Sequence, residues 1–134
     1  MNNKNSDTST QQNNAINQRS KHIRKANKIE IFAEHLLKSG LKGVARWQGL
    51  GALKSTNIGT FPSTLRGLGI NITKGNTYTL MDIKSVLMTV EFIQNKRLER
   101  RMELLTYDVI QHWLTPFIEA YGLPSDDDLS NVLF

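Results

Sequence analysis

A chain of 134 residues is long enough for one hydrophobic core with an appended segment but not for two full-sized domains, and 39% hydrophobic residues with 9 Gly and 3 Pro describe a globular rather than a fibrous protein. The absence of cysteine excludes a disulfide framework, a zinc ribbon, an iron–sulfur cluster and a thiol nucleophile. A formal net charge of +5 favours an anionic partner. The polar start of the chain and the shortness of every apolar run predict neither a secretory signal nor a membrane span, hence a cytoplasmic protein.

The charge is polarised. Residues 1–28 carry a net +5, residues 29–80 a net +4 and residues 81–134 a net −4. A basic front and an acidic rear suit a chain that offers one end to a polyanion, with the acidic region left for a protein partner. The first 27 residues are mostly Asn, Gln, Ser, Thr and Lys. Their apolar content is too small to offset an ordering entropy of roughly 1–2 kcal/mol per residue, so a disordered basic arm is predicted, with Arg19, Lys21, Arg24, Lys25 and Lys28 as phosphate contacts.

The folded part begins at Ile29. Ile29, Phe32, Ala33, Leu36 and Leu37 recur at helical spacing and Ser39-Gly40 supplies a stop, which predicts a helix over 28–38. A second helix, weakened by Gly49 and Gly51, is expected from Gly43 through Val44, Ala45, Trp47, Leu50, Ala52 and Leu53, followed by a polar turn containing Lys54. A short third helix is framed by Pro62 at its start and Gly69 past its end. Phe61, Leu65 and Leu68 share its inner face, and Ser63, Thr64, Arg66 and Gly67 are left outward.

Ile70-Asn71-Ile72-Thr73 and Thr77-Tyr78-Thr79-Leu80 then alternate with period two around Lys74-Gly75-Asn76, a hairpin pattern. Grouping the apolar residues on one face favours a three-residue loop, with Ile72 opposite Tyr78, Ile70 opposite Leu80 and Asn76 in the left-handed position.

The run from Ser63 to Leu80, with its leucine-rich helix end, its Leu68-Gly69-Ile70 step and its Gly75-x-x-Tyr78-x-Leu80 strand, resembles the recognition helix and wing of the winged helix-turn-helix superfamily. The resemblance covers residues 29–80. The chain departs from the pattern in its glycine-containing second helix and its short third helix. The resemblance implies a mainly α fold with one small β-hairpin and sequence-specific binding of double-stranded DNA, as in a transcriptional or replication regulator. Thr60, Ser63, Thr64, Arg66 and Asn76 are then expected at the DNA, and Lys54 and Lys74 at phosphates. Winged helices also serve as protein-interaction modules, so an inhibitor or adaptor from a mobile element is the alternative.

Beyond Leu80, Asp82 opens a long helix with an apolar stripe of Ile83, Val86, Leu87, Val90, Ile93, Leu98, Met102, Leu105 and Val109. The charge run Lys96–Arg101 reads as a solvated face with Lys96–Glu99 and Arg100–Glu103 pairs. A further helix carries Val109, Ile110, Trp113, Leu114, Phe117 and Ile118, with Pro116 as a point of kinking, and Gly122 stops it. Ser125 before three aspartates reads as the N-cap of a last short helix. These helices exceed what a 52-residue domain needs for its own core. They predict a homodimer through Leu105, Val109, Trp113 and Phe117, against the alternative that they fold back to complete one monomeric core. No constellation for catalysis, metal or cofactor stands out, and a non-enzyme is expected.

Overall fold

The computed structural model describes residues 26–46 and 59–130. These form α1 (Lys28–Ser39), a 3-10 turn (Gly40–Lys42), β1 (Val44–Ala45), α2 (Thr60–Gly67), β2 (Thr77–Tyr78), α3 (Ile83–Glu99), α4 (Tyr107–Tyr121) and α5 (Asp126–Ser130). The fold is mainly helical with a small two-stranded antiparallel sheet, as the sequence predicts at that level. The arm up to residue 25, the stretch from Trp47 to Leu53, Lys54 and the last four residues lie outside the described residues.

α1 agrees closely with its pattern. Asn27 Oδ1 accepts the Glu30 N–H at 3.0 Å as N-cap, Phe32, Ala33, Leu36 and Leu37 are buried, and Gly40 ends the helix at φ +59°. The next segment differs from expectation. Val44 and Ala45 begin no helix; they form β1, pairing antiparallel with Tyr78 and Thr77. Gly43 explains why, since at φ +74° a Cβ would stand 2.5 Å from the Tyr78 carbonyl oxygen. Only glycine lets the chain leave the 3-10 turn and come against the other strand.

The expected pairing of residues 70–73 with 77–80 is reduced to one bridge outside the sheet, and it is shifted. Ile72 bridges Leu80, not Tyr78, and Thr73 N–H bonds the Thr79 carbonyl. A slip of two residues keeps every side chain on its face, so Ile70, Ile72, Tyr78 and Leu80 are all buried as the alternation requires. The longer loop is closed by Thr73, whose hydroxyl donates to the Thr77 carbonyl at 3.0 Å and accepts the Thr79 N–H at 2.9 Å. The left-handed residue is Gly75 at φ +118°, not Asn76.

α3 is capped by Asp82, which accepts the Ser85 N–H at 2.7 Å, and it buries Ile83, Val86, Leu87, Val90 and Ile93. The expected stripe stops there, for Leu98 is 60% exposed. The helix ends in a Schellman turn: Met102 N–H bonds the Arg97 carbonyl, Arg101 N–H bonds that of Leu98, and Arg101 takes φ +59°. An arginine in that position carries no sequence signal for a helix end. Within the charge run Lys96 pairs with Glu99 as expected. Arg100 instead forms a two-point ion pair with Glu30 of α1, Nε to Oε1 at 2.9 Å and Nη2 to Oε2. Glu30 is 1% exposed.

α4 starts at its N-cap Thr106, contains Pro116 and ends at Gly122. The segment leading to it is held by Gln94, whose amide accepts from the Leu105 N–H at 2.8 Å and donates to the Leu105 carbonyl at 3.2 Å. α5 carries a reciprocal capping box: Ser125 Oγ accepts the Asp128 N–H and Asp128 Oδ2 accepts the Ser125 N–H.

One core crosses residue 80. Phe32, Leu36, Leu65, Ile72 and Tyr78 belong to the same cluster as Val86, Val90, Ile110, Leu114 and Phe117. The described residues on either side of residue 80 therefore share their packing, with α3 the element on which α1 and α4 rest.

Candidate nucleic-acid interface

α2 is amphipathic over two turns. Leu65 is fully buried, Pro62 is buried in its first turn, Phe61 packs against the core, and Ser63, Thr64 and Gly67 are exposed. Leu68, expected on the inner face, is 52% exposed just past the helix end, where Gly69 turns the chain at φ +97°. The outward surface of α2 is thus made of Thr60, Ser63 and Thr64, the Thr64 hydroxyl donating to the Thr60 carbonyl at 2.9 Å.

Arg66 is not a free outward cation. Its Nε donates to the Ile72 carbonyl at 3.2 Å and its Nη2 to the Thr73 carbonyl at 2.8 Å, with the residue partly buried. Two of its five donors tie α2 to the extended segment that leads into the Lys74-Gly75-Asn76 turn. Arg66 thereby fixes the angle between helix and loop, and reading a base edge would fall to the remaining donors. Arg66→Ala is expected to raise amide exchange at Thr73 and Thr79 at least tenfold while leaving α3 protected. Unchanged exchange at those amides would remove the brace.

Lys74 and Asn76 are exposed at the loop tip, and the Asn76 carbonyl accepts the Arg46 N–H at 2.8 Å. The structure therefore brings Thr60, Ser63, Thr64, Arg66, Lys74 and Asn76 onto α2 and the loop joined to it. Lys28 stands apart, exposed in the first turn of α1, which the Glu30–Arg100 pair sets at the end of α3. Arg19, Lys21, Arg24, Lys25 and Lys54 lie outside the described residues.

Arg46, which follows β1 directly and is helical as expected, is a residue that the sequence reading did not single out. The available signal is the absence of any carboxylate between Glu34 and Asp82, a stretch that carries six Lys and Arg.

The expected dimer residues fare unevenly. Phe117 is 0% exposed and belongs to the monomer's own core, which removes it from an interface. Leu105 and Trp113 are half-buried against that core, with Lys38 Nζ 5.9 Å from the Trp113 ring, and Val109 is 37% exposed.

At the base of the loop, Asp82 accepts from the Asn71 side-chain amide at 2.9 Å as well as capping α3, and the Tyr121 hydroxyl donates to the Leu80 carbonyl at 2.8 Å. Burial raises the Asp82 carboxyl, but the Asn71 amide, the Ser85 N–H and hydroxyl and the Lys84 charge outweigh it and hold the group below its ordinary 3.8. Burial and the Asp82 charge push the Tyr121 hydroxyl up. A depressed carboxyl stabilises the fold above its unfolded value, and that stability is lost as pH falls through the folded one. The urea midpoint should accordingly drop below about pH 4, and less so in Asp82→Asn. Parallel profiles for the two proteins would contradict this.

Among the described residues no group of three His, Asp or Glu side chains could hold a metal ion, and no helix is long and apolar enough to cross a membrane. Comparison with known proteins gives no match to any family model, curated protein or solved structure.

Proposed function

We propose that this chain is a sequence-specific double-stranded DNA-binding protein of winged helix-turn-helix type that regulates transcription or replication. In this reading α2 offers Thr60, Ser63 and Thr64 to base edges and the loop offers Lys74 and Asn76 to the backbone. The observation that carries it is the Arg66 brace. An exposed polar helix face and an exposed basic turn are held at one angle by two hydrogen bonds, within a carboxylate-free stretch of chain.

Selection of bound duplexes from a random pool, followed by anisotropy titration of the winner against a scrambled duplex at two salt concentrations, tests the proposal. Enrichment of one sequence with at least a hundredfold preference is expected. No enrichment, or no binding at low salt, overturns it.

The protein-interaction reading is favoured by one observation. Arg66 is the only charged residue of α2, and its engagement with the Ile72 and Thr73 carbonyls leaves the helix face short and nearly neutral. Failure of the duplex selection would move the assignment there.

The proposal retains a homodimer through Leu105, Val109 and Trp113, without Phe117, and adds the exposed Leu104 and Tyr107 beside them. Sedimentation equilibrium at micromolar concentration should give twice the monomer mass. A concentration-independent monomer would sink it.

A further inference from the structure

Resting on the DNA reading, the geometry points to a second backbone-binding surface on the β1 side of the sheet. We infer that one sugar–phosphate strand of the bound duplex runs from the start of α2 across Arg46 into the groove beside Lys42. That groove, of about 480 Å³, is lined by Lys38, Ser39, Lys42, Gly43, Ala45 and Thr77.

Three contacts make it continuous with the α2–loop interface. The Arg46 guanidinium lies beside Gly59 at the N-terminus of α2, its Nη2 3.7 Å from where a Cβ would stand. The Arg46 N–H bonds the Asn76 carbonyl at the loop tip. Ala45 pairs with Thr77, and both border the groove. A ligand that spans these points must be extended and must meet cations along its length, which suits a chain of phosphodiesters better than a compact anion.

The charges are not equivalent. Lys38 is held by Glu34 at 3.3 Å and lies over Trp113, so it forms a wall of the groove with its charge already partly compensated. Lys42 and Arg46 are exposed and have no ion pair among the described residues. With Lys74 they put one cation before β1, one directly after it and one on the loop that Arg46 bonds, in the stretch that lacks any carboxylate, and we read them as a row. A duplex engaged only by α2 and the loop would leave Lys42 in solvent. One engaged along the row would release a counterion at each cation.

The test is a salt titration of duplex affinity for the intact chain and for Lys42→Ala/Arg46→Ala, with Lys96→Ala as a control for loss of a surface charge. Lys96 lies over the Phe92 ring beside Glu99 on α3 and does not line that groove. The double variant should lose affinity on every duplex alike, and its plot of log affinity against log salt should be shallower by about 2. The charge-preserving pair Lys42→Arg/Arg46→Lys should restore the parent slope, which a merely misfolded variant would not explain.

A double variant that titrates like Lys96→Ala overturns the inference while the parent's binding leaves the DNA reading standing. A parent that binds no duplex overturns that reading and this inference with it. Displacement of the duplex from the parent, but not from the double variant, by poly-glutamate of equal charge would show that the row takes acidic protein segments instead, and would overturn it as well.

Discussion

Arg100→Ala is expected to lower the free energy of unfolding by about 3–5 kcal/mol. Glu30 is 1% exposed and its carboxylate receives both Nε and Nη2 of Arg100, two elements meeting across 70 positions of sequence. Removing the arginine leaves a charge in a site that water does not reach, and the loss comes from that unpaired charge more than from the bond itself. A domain of this size has a total stability of roughly 5–15 kcal/mol, so the variant should be partly unfolded at 37 °C. The double variant Glu30→Leu/Arg100→Leu should recover most of the loss, because neither charge is then buried. Urea unfolding of the three proteins checks this; a single variant within about 1 kcal/mol of the parent would mean that the pair is solvated in solution.

A second large loss is expected at Gly43. Alanine there would be forced to adopt φ +74°, at about 1–2 kcal/mol, with its Cβ against the Tyr78 carbonyl oxygen, the Thr79 hydroxyl and the Thr77 methyl. Relieving those contacts means moving β1 away from β2, so the total should reach about 3 kcal/mol, with loss of amide protection at Arg46. The same change should weaken DNA binding on all sequences, since β1 carries Arg46 to the loop tip and Gly43 lines the groove. Full stability in Gly43→Ala would show that the sheet can open without cost, and the two-stranded pairing would then contribute little to the fold.

The features legible in the amino-acid order alone are local ones. Helical periodicity places Phe32, Ala33, Leu36 and Leu37 inward, and Asp82 and the Ser125–Asp128 box act as caps because a side chain one turn away is all that a cap needs. Period-two alternation likewise assigns Ile70, Ile72, Tyr78 and Leu80 to the buried face whatever their register.

Features that depend on a distant partner emerge only in the folded chain. Val44-Ala45 is too short to declare itself a strand and becomes one only against Thr77-Tyr78, 32 residues on. The choice between Tyr78 and Leu80 as partner of Ile72 is invisible to facing, since a shift of two residues leaves the pattern unchanged. Arg66, polar and on the outward side by spacing, is drawn to the Ile72 and Thr73 carbonyls because the segment after α2 folds back along its end. Phe117 fills the monomer core, and Glu30 is buried only because Arg100 arrives from the end of α3 to neutralise it. Burial and pairing of this kind are properties of the assembled chain, and no window of neighbouring residues contains them.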